Sequence, residues 1–261
     1  MSRLPSIFIS HGSPMMSFMP TWEANRFLSM PTNWPRPRAI LSVSAHWETV
    51  EPQITSALLP PTMHDYGSGF PLRELYTIKY PAAGDPELAA SIQALLAKAG
   101  LHARLHPTRG LDHGSWAPLR LTYPAADVPV VQLSIQPHLG PAYHLALGRA
   151  LSPLRDDGVL IYASGTLVHN LHDLDRTGLK PTPEWAKGFS DWVFARLAQR
   201  DDPALIDYRE QAPSGAYCHP TDEHLIPFYV ALGAATDGVP PRRLHTSFTY
   251  STQCMDCYAF D

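Results

Sequence analysis

The chain has 261 residues, of which 44% are hydrophobic and 17% charged, so it can bury a sizeable core, and we expect one catalytic domain spanning residues 1–261. A formal net charge of −4 argues against a general electrostatic affinity for nucleic acid or for a membrane surface. No apolar run approaches the roughly 20 residues of a membrane-spanning helix, and residues 7–9 are too short for a signal-peptide core, so we expect a cytoplasmic protein.

Four apolar, β-branched runs predict buried strands, at residues 6–10, 39–45, 128–135 and 159–163. Helical periodicity predicts helices at 86–99, 142–154 and 185–197, and Gly100 and Gly158 follow two of these patterns as helix-ending glycines would. A short strand at 103–106 completes an alternating order. The predicted fold is therefore a single α/β domain with a central, mostly parallel or mixed sheet that is flanked by helices on both faces.

Two long connections, residues 60–70 and 107–118, carry aromatic and histidine side chains among their prolines and glycines. Long loops of this kind within a compact domain are commonly functional. In the second loop Asp112, His113 and Trp116 bring an acid, an imidazole and an indole together. Two structural roles fit equally well, a turn cap at Asp112 and a core position at Trp116.

Three of the thirteen histidines stand at or just beyond the ends of predicted strands. They are His11, His46 and His169, and His138 is a further candidate for the same rim. Ligands of open α/β sheets bind outside the carboxyl ends of the strands, so these imidazoles would meet in one crevice. Because imidazole binds zinc, iron and copper, the sequence predicts a metal site at this edge of the sheet.

A further ligand is expected from residues 218–224 (CHPTDEH), which precede an apolar helical run at 225–232. Glu223 would complete the two-histidine, one-carboxylate face of non-haem iron oxygenases, whereas His224 would give an all-histidine site that also suits zinc. The alternative role for Glu223 is to stabilise the helix N-terminus through its negative charge. The three cysteines, Cys218, Cys254 and Cys257, cannot form a disulfide framework, and the CxxC pair among them is a weak metal signal.

Five motifs together resemble those of the class III extradiol ring-cleaving dioxygenases, and specifically the 4,5-DOPA dioxygenase extradiol subgroup. They are residues 9–15 (ISHGSPM), 44–47 (SAHW), 111–116 (LDHGSW), 164–171 (SGTLVHNL) and 219–224 (HPTDEH), and they span nearly the whole chain in the family's order. The chain departs from the subgroup at Thr166, where asparagine is usual, and this bears on substrate preference.

The resemblance implies metal ligation by His11, His46 and His224, with His169 beside the metal as the catalytic base and sometimes as a fourth ligand. His113 would be the second catalytic residue, placed over the substrate. The implied cofactor is one divalent metal, Fe(II) for the oxygen chemistry or Zn(II) as the bound form. The implied partners are dioxygen and a small aromatic substrate, a catechol whose ring is opened beside its two hydroxyls.

The aromatic residues of loop 66–70 and Tyr80 with Pro81 resemble the family's aromatic wall near the pocket. Candidate anchors for a charged substrate group are Arg73, Lys79 and Arg109.

Two other classes of function fit the same histidines. One is a zinc-dependent hydrolase in which Glu223 or Asp112 serves as the carboxylate base for a zinc-bound water. The other is a non-catalytic metal-binding or interaction module on the same scaffold, against which the presence of both His113 and His169 argues.

Overall fold

An eight-stranded mixed sheet forms the centre of the computed structural model, which describes residues 3–70 and 72–261. The strands of this sheet, together with the separate pair β8 and β9, are β1 (Ser6–Ser10), β2 (Ala39–Glu48), β3 (Gln53–Thr55), β4 (Arg104–His106), β5 (Val130–Ile135), β6 (Val159–Gly165), β7 (Arg242–His245), β8 (Phe248–Thr249), β9 (Gln253–Cys254) and β10 (Cys257–Phe260). Their order in the large sheet is β4-β3-β5-β2-β6-β1-β10-β7.

The four central strands β5, β2, β6 and β1 are parallel to one another. Antiparallel pairing occurs toward the edges, where β3 pairs with β5, β10 with β1, and β7 with β10. Since the central strands point the same way, the residues that follow β1, β2 and β6 come out at one edge of the sheet.

Helices cover both faces of the sheet. They are α1 (Glu23–Leu28), α2 (Pro86–Lys98), α3 (His113–Thr122), α4 (Gly140–Leu151), α5 (Glu184–Gln199), α6 (Asp202–Ile206), α7 (Tyr208–Gln211), α8 (Gly215–Cys218) and α9 (Ile226–Gly233). Phe8 on β1 and Leu41 on β2 pack with apolar residues of α2, α4, α5 and α9, whereas Ile7 and Ile40 pack on the other face with those of α1 and α3. The predicted α/β fold class is therefore confirmed.

The predicted strands occur with small changes in their bounds, since β2 extends to Glu48 and β5 begins at Val130. The predicted helix at 142–154 begins at Gly140 and ends at Leu151, because Pro153 enters a 3-10 turn over Ser152–Arg155. The prediction of a loop through residue 118 is wrong. Helix α3 begins at His113, because the Asp112 carboxylate accepts a hydrogen bond from the backbone N–H of Ser115 and so caps the helix.

Within the described ranges, no helix combines the length and the apolar character that a membrane crossing requires.

Candidate functional site

Three histidines from separate elements, His11, His46 and His224, lie at the carboxyl edge of the sheet. His11 directly follows β1, and its backbone N–H donates to Gly165 O at 2.8 Å, at the end of neighbouring β6. His46 lies within β2, where the register with β5 shifts between Val43 and Glu48. His224 precedes α9, and its carbonyl accepts the backbone N–H of Thr166 at 2.9 Å.

The ring nitrogens of these residues converge. Nε2 of His11 lies 3.0 Å from Nε2 of His46, and one ring nitrogen from each of His11, His46 and His224 lies within 4.8 Å of the others. Two imidazole nitrogens that bind one ion at about 2.0–2.1 Å lie roughly this far apart. Nδ1 of His11 is 3.0 Å from the Ser164 hydroxyl, so its Nε2 is the nitrogen left for an ion. The donor set fits a single divalent metal.

Burial keeps these imidazoles neutral. It lowers the pKa of His11 and of His224 well below the usual value, and the neighbouring histidines lower both further. The pKa of His46 falls to about 3, mainly through burial and then through His113. Neutral imidazole is the form that binds a metal, so the nitrogens keep their lone pairs at neutral pH.

Two carboxylates, Asp65 and Glu223, form hydrogen bonds with Nδ1 atoms of the clustered histidines. Asp65 accepts hydrogen bonds from the backbone N–H of His113 at 2.9 Å and from its Nδ1 at 3.1 Å, and it lies 3.9 Å from Nδ1 of His46. Burial tends to raise the pKa of Asp65, but the hydrogen bonds and charge of His113 outweigh it and lower the pKa to about 2. Asp65 is therefore ionised and can only accept hydrogen bonds.

Glu223 is the second of these carboxylates. Its Oε1 lies 2.9 Å from Nδ1 of His224 and 3.6 Å from Nδ1 of His169. The rings of His169 and His224 stack with centroids 3.4 Å apart. With Nδ1 of His224 held by Glu223, its Nε2 is the nitrogen free to bind a metal.

His113 and His169 each lie beside a different member of the cluster, His113 beside His46 and His169 beside His224. The His113 ring centroid lies 3.9 Å from that of His46, at the start of α3. His169 comes from the segment after β6, and its backbone N–H donates to Cys218 O at 3.0 Å. Burial lowers the pKa of His169 to about 4, against the opposing charge of Glu223, so the ring is neutral at pH 7.

A cavity of about 640 Å³ opens beside these rings. Four histidines line it, His46, His113, His169 and His224, together with the aromatic residues Tyr66, Phe70 and Tyr250 and the apolar residues Pro14, Met15, Leu171 and Leu174. Binding pockets for small organic molecules commonly have volumes of roughly 300–1,000 Å³ and a mostly apolar lining with a few polar groups. The cavity therefore suits an aromatic molecule larger than a single bare ring.

Several residues singled out in the sequence lie elsewhere. Tyr80 is buried, and its hydroxyl donates to Tyr123 O, so it is no part of the cavity wall. Thr166 is buried, and its hydroxyl donates to Gly165 O. It is not among the residues that line the cavity. His138 is exposed and does not line the cavity.

The three cationic anchors considered in the sequence are also absent from the cavity lining. Arg109 stacks over Trp47 and contacts Asp112, Lys79 lines a different pocket, and Arg73 is exposed. The cation that does line the cavity is Arg176. All three cysteines are buried free thiols, and none belongs to the candidate metal groups found among the described residues.

Sequence reasoning missed Asp65, Ser164 and Arg176. Asp65 precedes Tyr66 in the loop that was expected to be functional, but nothing local indicated that its partner would be His113, 48 residues away. Ser164 had a detectable signal, because it directly follows the strand predicted at 159–163 and begins the 164–171 motif.

Comparison with known proteins places the chain in a family. Residues 5–260 match the model of the catalytic LigB subunit of aromatic ring-opening dioxygenase. The chain is 40% identical to the 4,5-DOPA dioxygenase extradiol of Beta vulgaris, over 98% of this chain and 96% of that protein. It is 39% identical to the protein of the same name in Escherichia coli (strain K12), over 92% of this chain and 88% of that protein.

The fold has a match among solved structures. A crystal structure of an uncharacterized protein from Escherichia coli K12 superposes with a TM-score of 0.81 and 32% sequence identity, over 99% of this chain and 100% of that one. These matches confirm the predicted enzyme class, a dioxygenase that opens aromatic rings. The chain belongs to the family of the catalytic LigB subunit of aromatic ring-opening dioxygenases.

Proposed function

We propose that the chain cleaves a catechol-type aromatic, DOPA-like or a related dihydroxyphenyl compound, at an extradiol bond, with one divalent metal held by His11, His46 and His224. The observation that carries this proposal is the convergence of three neutral imidazoles, with Nε2 of His11 and His46 3.0 Å apart, two of which, His46 and His224, line a cavity with aromatic walls. The names of the relatives support the same class of substrate.

The metal is proposed to be iron in the active enzyme. Fe(II) supplies the redox contact with dioxygen that the reaction needs, whereas Zn(II) has no redox chemistry and would give an inactive form. A metal held by His11, His46 and His224 would lie next to the cavity that His46 and His224 line, where substrate oxygens could reach it.

His169 is proposed as the base. Its ring is neutral at pH 7, lines the cavity, and stacks on His224, so it can accept the proton of a catechol hydroxyl bound beside that ligand. Loss of that proton makes the ring more electron-rich, which favours its attack by dioxygen. The additional assignment of His169 as a fourth ligand stays a prediction.

His113 is proposed to act in its imidazolium form and to donate a hydrogen bond or a proton from Nε2 to the reacting oxygen. Its Nδ1 is held by Asp65, so Nε2 is the ring nitrogen left to serve the cavity. The aromatic ring would open beside the two hydroxyls, giving a yellow semialdehyde.

The hydrolase alternative lacks an available carboxylate base. Glu223 is engaged by Nδ1 of His224, and Asp112 is fully buried, where it caps α3 and contacts Gln132. The non-catalytic alternative is disfavoured by family membership.

The test reconstitutes the protein with Fe(II) without oxygen and then measures oxygen uptake and visible absorbance with a panel of catechols. His11→Ala and His46→Ala should lose bound metal. His169→Ala should retain the metal while kcat falls by roughly 10²–10⁴-fold, the range typical of a lost general base.

His138→Ala is the matched control, because this histidine is exposed and lies outside the cavity. It should keep both metal and activity. Full activity in His169→Ala would remove it as the base, and absence of oxygen uptake with every catechol would overturn the proposed reaction.

A further inference from the structure

Internal hydrogen bonds fix the loop that carries Arg176, the cationic residue of the cavity lining. Asp175 accepts hydrogen bonds from the backbone and hydroxyl of Thr177, at 3.1 and 2.6 Å, and from the backbone N–H of Lys180 at 2.8 Å. Its own N–H donates to Tyr250 O at 3.0 Å. The backbone that bears Arg176 is therefore fixed against another wall of the same cavity.

Of the two charged residues that line the cavity, Asp65 is hydrogen-bonded to another side chain and Arg176 forms no ion pair among the described residues. Asp65 is the acidic residue of the lining, and it already accepts two hydrogen bonds from His113. Arg176 takes part in none of the ion pairs formed among the described residues. Its charge opposes the rise that burial imposes on the pKa of Tyr250, which places the guanidinium near that phenol. The cavity thus offers one uncommitted cation and no uncommitted carboxylate within the described lining.

The position of Arg176 relative to the histidines sets the direction of a bound substrate. His113 and His224 are buried, whereas Arg176 is exposed, so the histidines form the inner end of the cavity and Arg176 its solvent edge. A catechol whose hydroxyls face the histidines presents the substituent on the opposite side of its ring toward this edge. The forked donors of a guanidinium match the two oxygens of a carboxylate.

We infer that Arg176 binds a carboxylate on the side chain of the substrate, and that the enzyme thereby selects dihydroxyphenyl acids over neutral catechols and over cationic catecholamines. This inference rests on the proposed catechol site. Since no free carboxylate faces an ammonium group in the described lining, an amine substituent gains nothing and meets the repulsion of Arg176.

The test measures equilibrium binding by calorimetry with the zinc-loaded protein, so that its outcome does not depend on turnover. The probes are 3,4-dihydroxyphenylpropanoate, 4-ethylcatechol and dopamine, which carry an anionic, a neutral and a cationic substituent. The wild-type protein should bind the anion more tightly than 4-ethylcatechol by roughly five- to tenfold, as expected for a partly solvated ion pair, and dopamine most weakly.

Arg176→Gln should remove the preference for the anion and leave the Kd of 4-ethylcatechol unchanged, while Arg176→Lys should keep part of the preference. Arg73→Gln is the matched control, since Arg73 is exposed and outside the cavity lining. Higher ionic strength should reduce the ratio between the Kd of 4-ethylcatechol and the Kd of the anionic probe, because salt screens the ion pair.

Equal Kd values for the anion and the neutral probe in the wild-type protein would overturn the inference, and so would an equal loss of both in Arg176→Gln. Oxygen uptake with 4-ethylcatechol in the Fe(II) form reports separately on the proposed reaction. A protein that cleaves this neutral catechol but shows no preference for the anion keeps its function and loses the role of Arg176.

Discussion

Each carboxylate of the site serves two histidines with different proposed tasks. Asp65 holds His113 and faces His46, and Glu223 holds His224 and faces His169. One member of each pair is a proposed metal ligand and the other a proposed proton-transfer residue. An ionised carboxylate at Nδ1 fixes both the orientation and the tautomer of an imidazole, so a change at either acid should alter catalysis without removing a ligand.

Asp65→Asn should lower kcat by about 10- to 100-fold while the protein retains its metal. The amide has one accepting oxygen where the carboxylate has two, so one of the two hydrogen bonds from His113 is lost. The measurements are kcat with a catechol and metal content per chain. Asp191→Asn, at an exposed position on α5, is the control and should match the wild-type protein. An unchanged kcat in Asp65→Asn would contradict the orienting role.

The histidines proposed to bind the metal were easier to predict from the sequence than their carboxylate partners. His11 and His46 were identifiable because buried strands have recognisable patterns and their ends meet at one edge of a parallel sheet. The sequence left Glu223 and His224 as alternative ligands, because neighbouring residues in a loop point in directions that no periodicity fixes. Asp65 was missed for the same reason.

At the scale of elements, α3 is the main departure from expectation. Gly114 and Pro118 made residues 107–118 read as a loop, yet both lie within the helix. Asp112 compensates, because it caps the helix and also accepts from the buried amide of Gln132 and contacts Arg109 at 3.3 Å. Local sequence could not indicate these distant partners.

Asp112→Ala should lower the free energy of unfolding by about 3–5 kcal/mol, since it removes a helix cap and leaves the mostly buried Arg109 without its ionic partner. Asp85→Ala provides the comparison, because Asp85 caps α2 through Leu88 N–H at the surface, and its loss should cost about 1 kcal/mol. Urea unfolding of both variants measures the difference. Equal losses would show that the buried contacts of Asp112 contribute little.

Gly114→Ala should weaken metal binding although alanine favours helices. A Cβ at this position would overlap the Ser44 hydroxyl and lie 2.9 Å from Cδ2 of His46, so the His46 ring must shift. We expect metal affinity to fall by roughly 10- to 100-fold, as for other disturbances of ligand orientation. Gly188→Ala in α5 has space for its Cβ and should gain about 0.5–1 kcal/mol of stability with no change in metal affinity. Metal titration of both variants tests this.

For the whole molecule, the sequence predicted the parallel centre of the sheet but not its antiparallel side. The central strands are continuous apolar runs, which is how strands buried on both faces read. By contrast, β10 has only four residues, and β7 is a partly exposed strand with two arginines. The place of β10 in the sheet depends on its pairing with β1, which is distant in sequence, and the place of β7 depends on its pairing with β10.

The stability of the metal-free protein should fall as the pH drops from about 6.5 toward 4. Burial lowers the pKa of His144 to about 4, so between these values the unfolded chain binds a proton that the folded protein does not. His144 accepts the Gln136 N–H and donates to Gly140 O, and protonation abolishes the first bond. The contribution is fully present above pH 6.5 and is lost at up to about 1.4 kcal/mol per pH unit.

His144→Gln should therefore be less stable than the wild-type protein at pH 7.5 but show a shallower decline with acid. Urea unfolding across this pH range, with a chelator present, gives both slopes. Parallel curves for the two proteins would show that His144 does not titrate in this window.

The pairing of β1 with β10 has a consequence for the order in which the molecule assembles. Ser6 and Phe260, which face each other across these strands, are 254 residues apart in the chain. Contacts between residues this far apart in sequence form late in folding, because the entropic cost of closing a long loop comes before the contact can stabilise the fold. A chain emerging from the ribosome can build β2, β5 and β6 early, but β1, the strand that precedes His11, lacks one neighbour until β10 has been synthesised. We therefore expect metal binding at the proposed site to follow the pairing of β10 with β1.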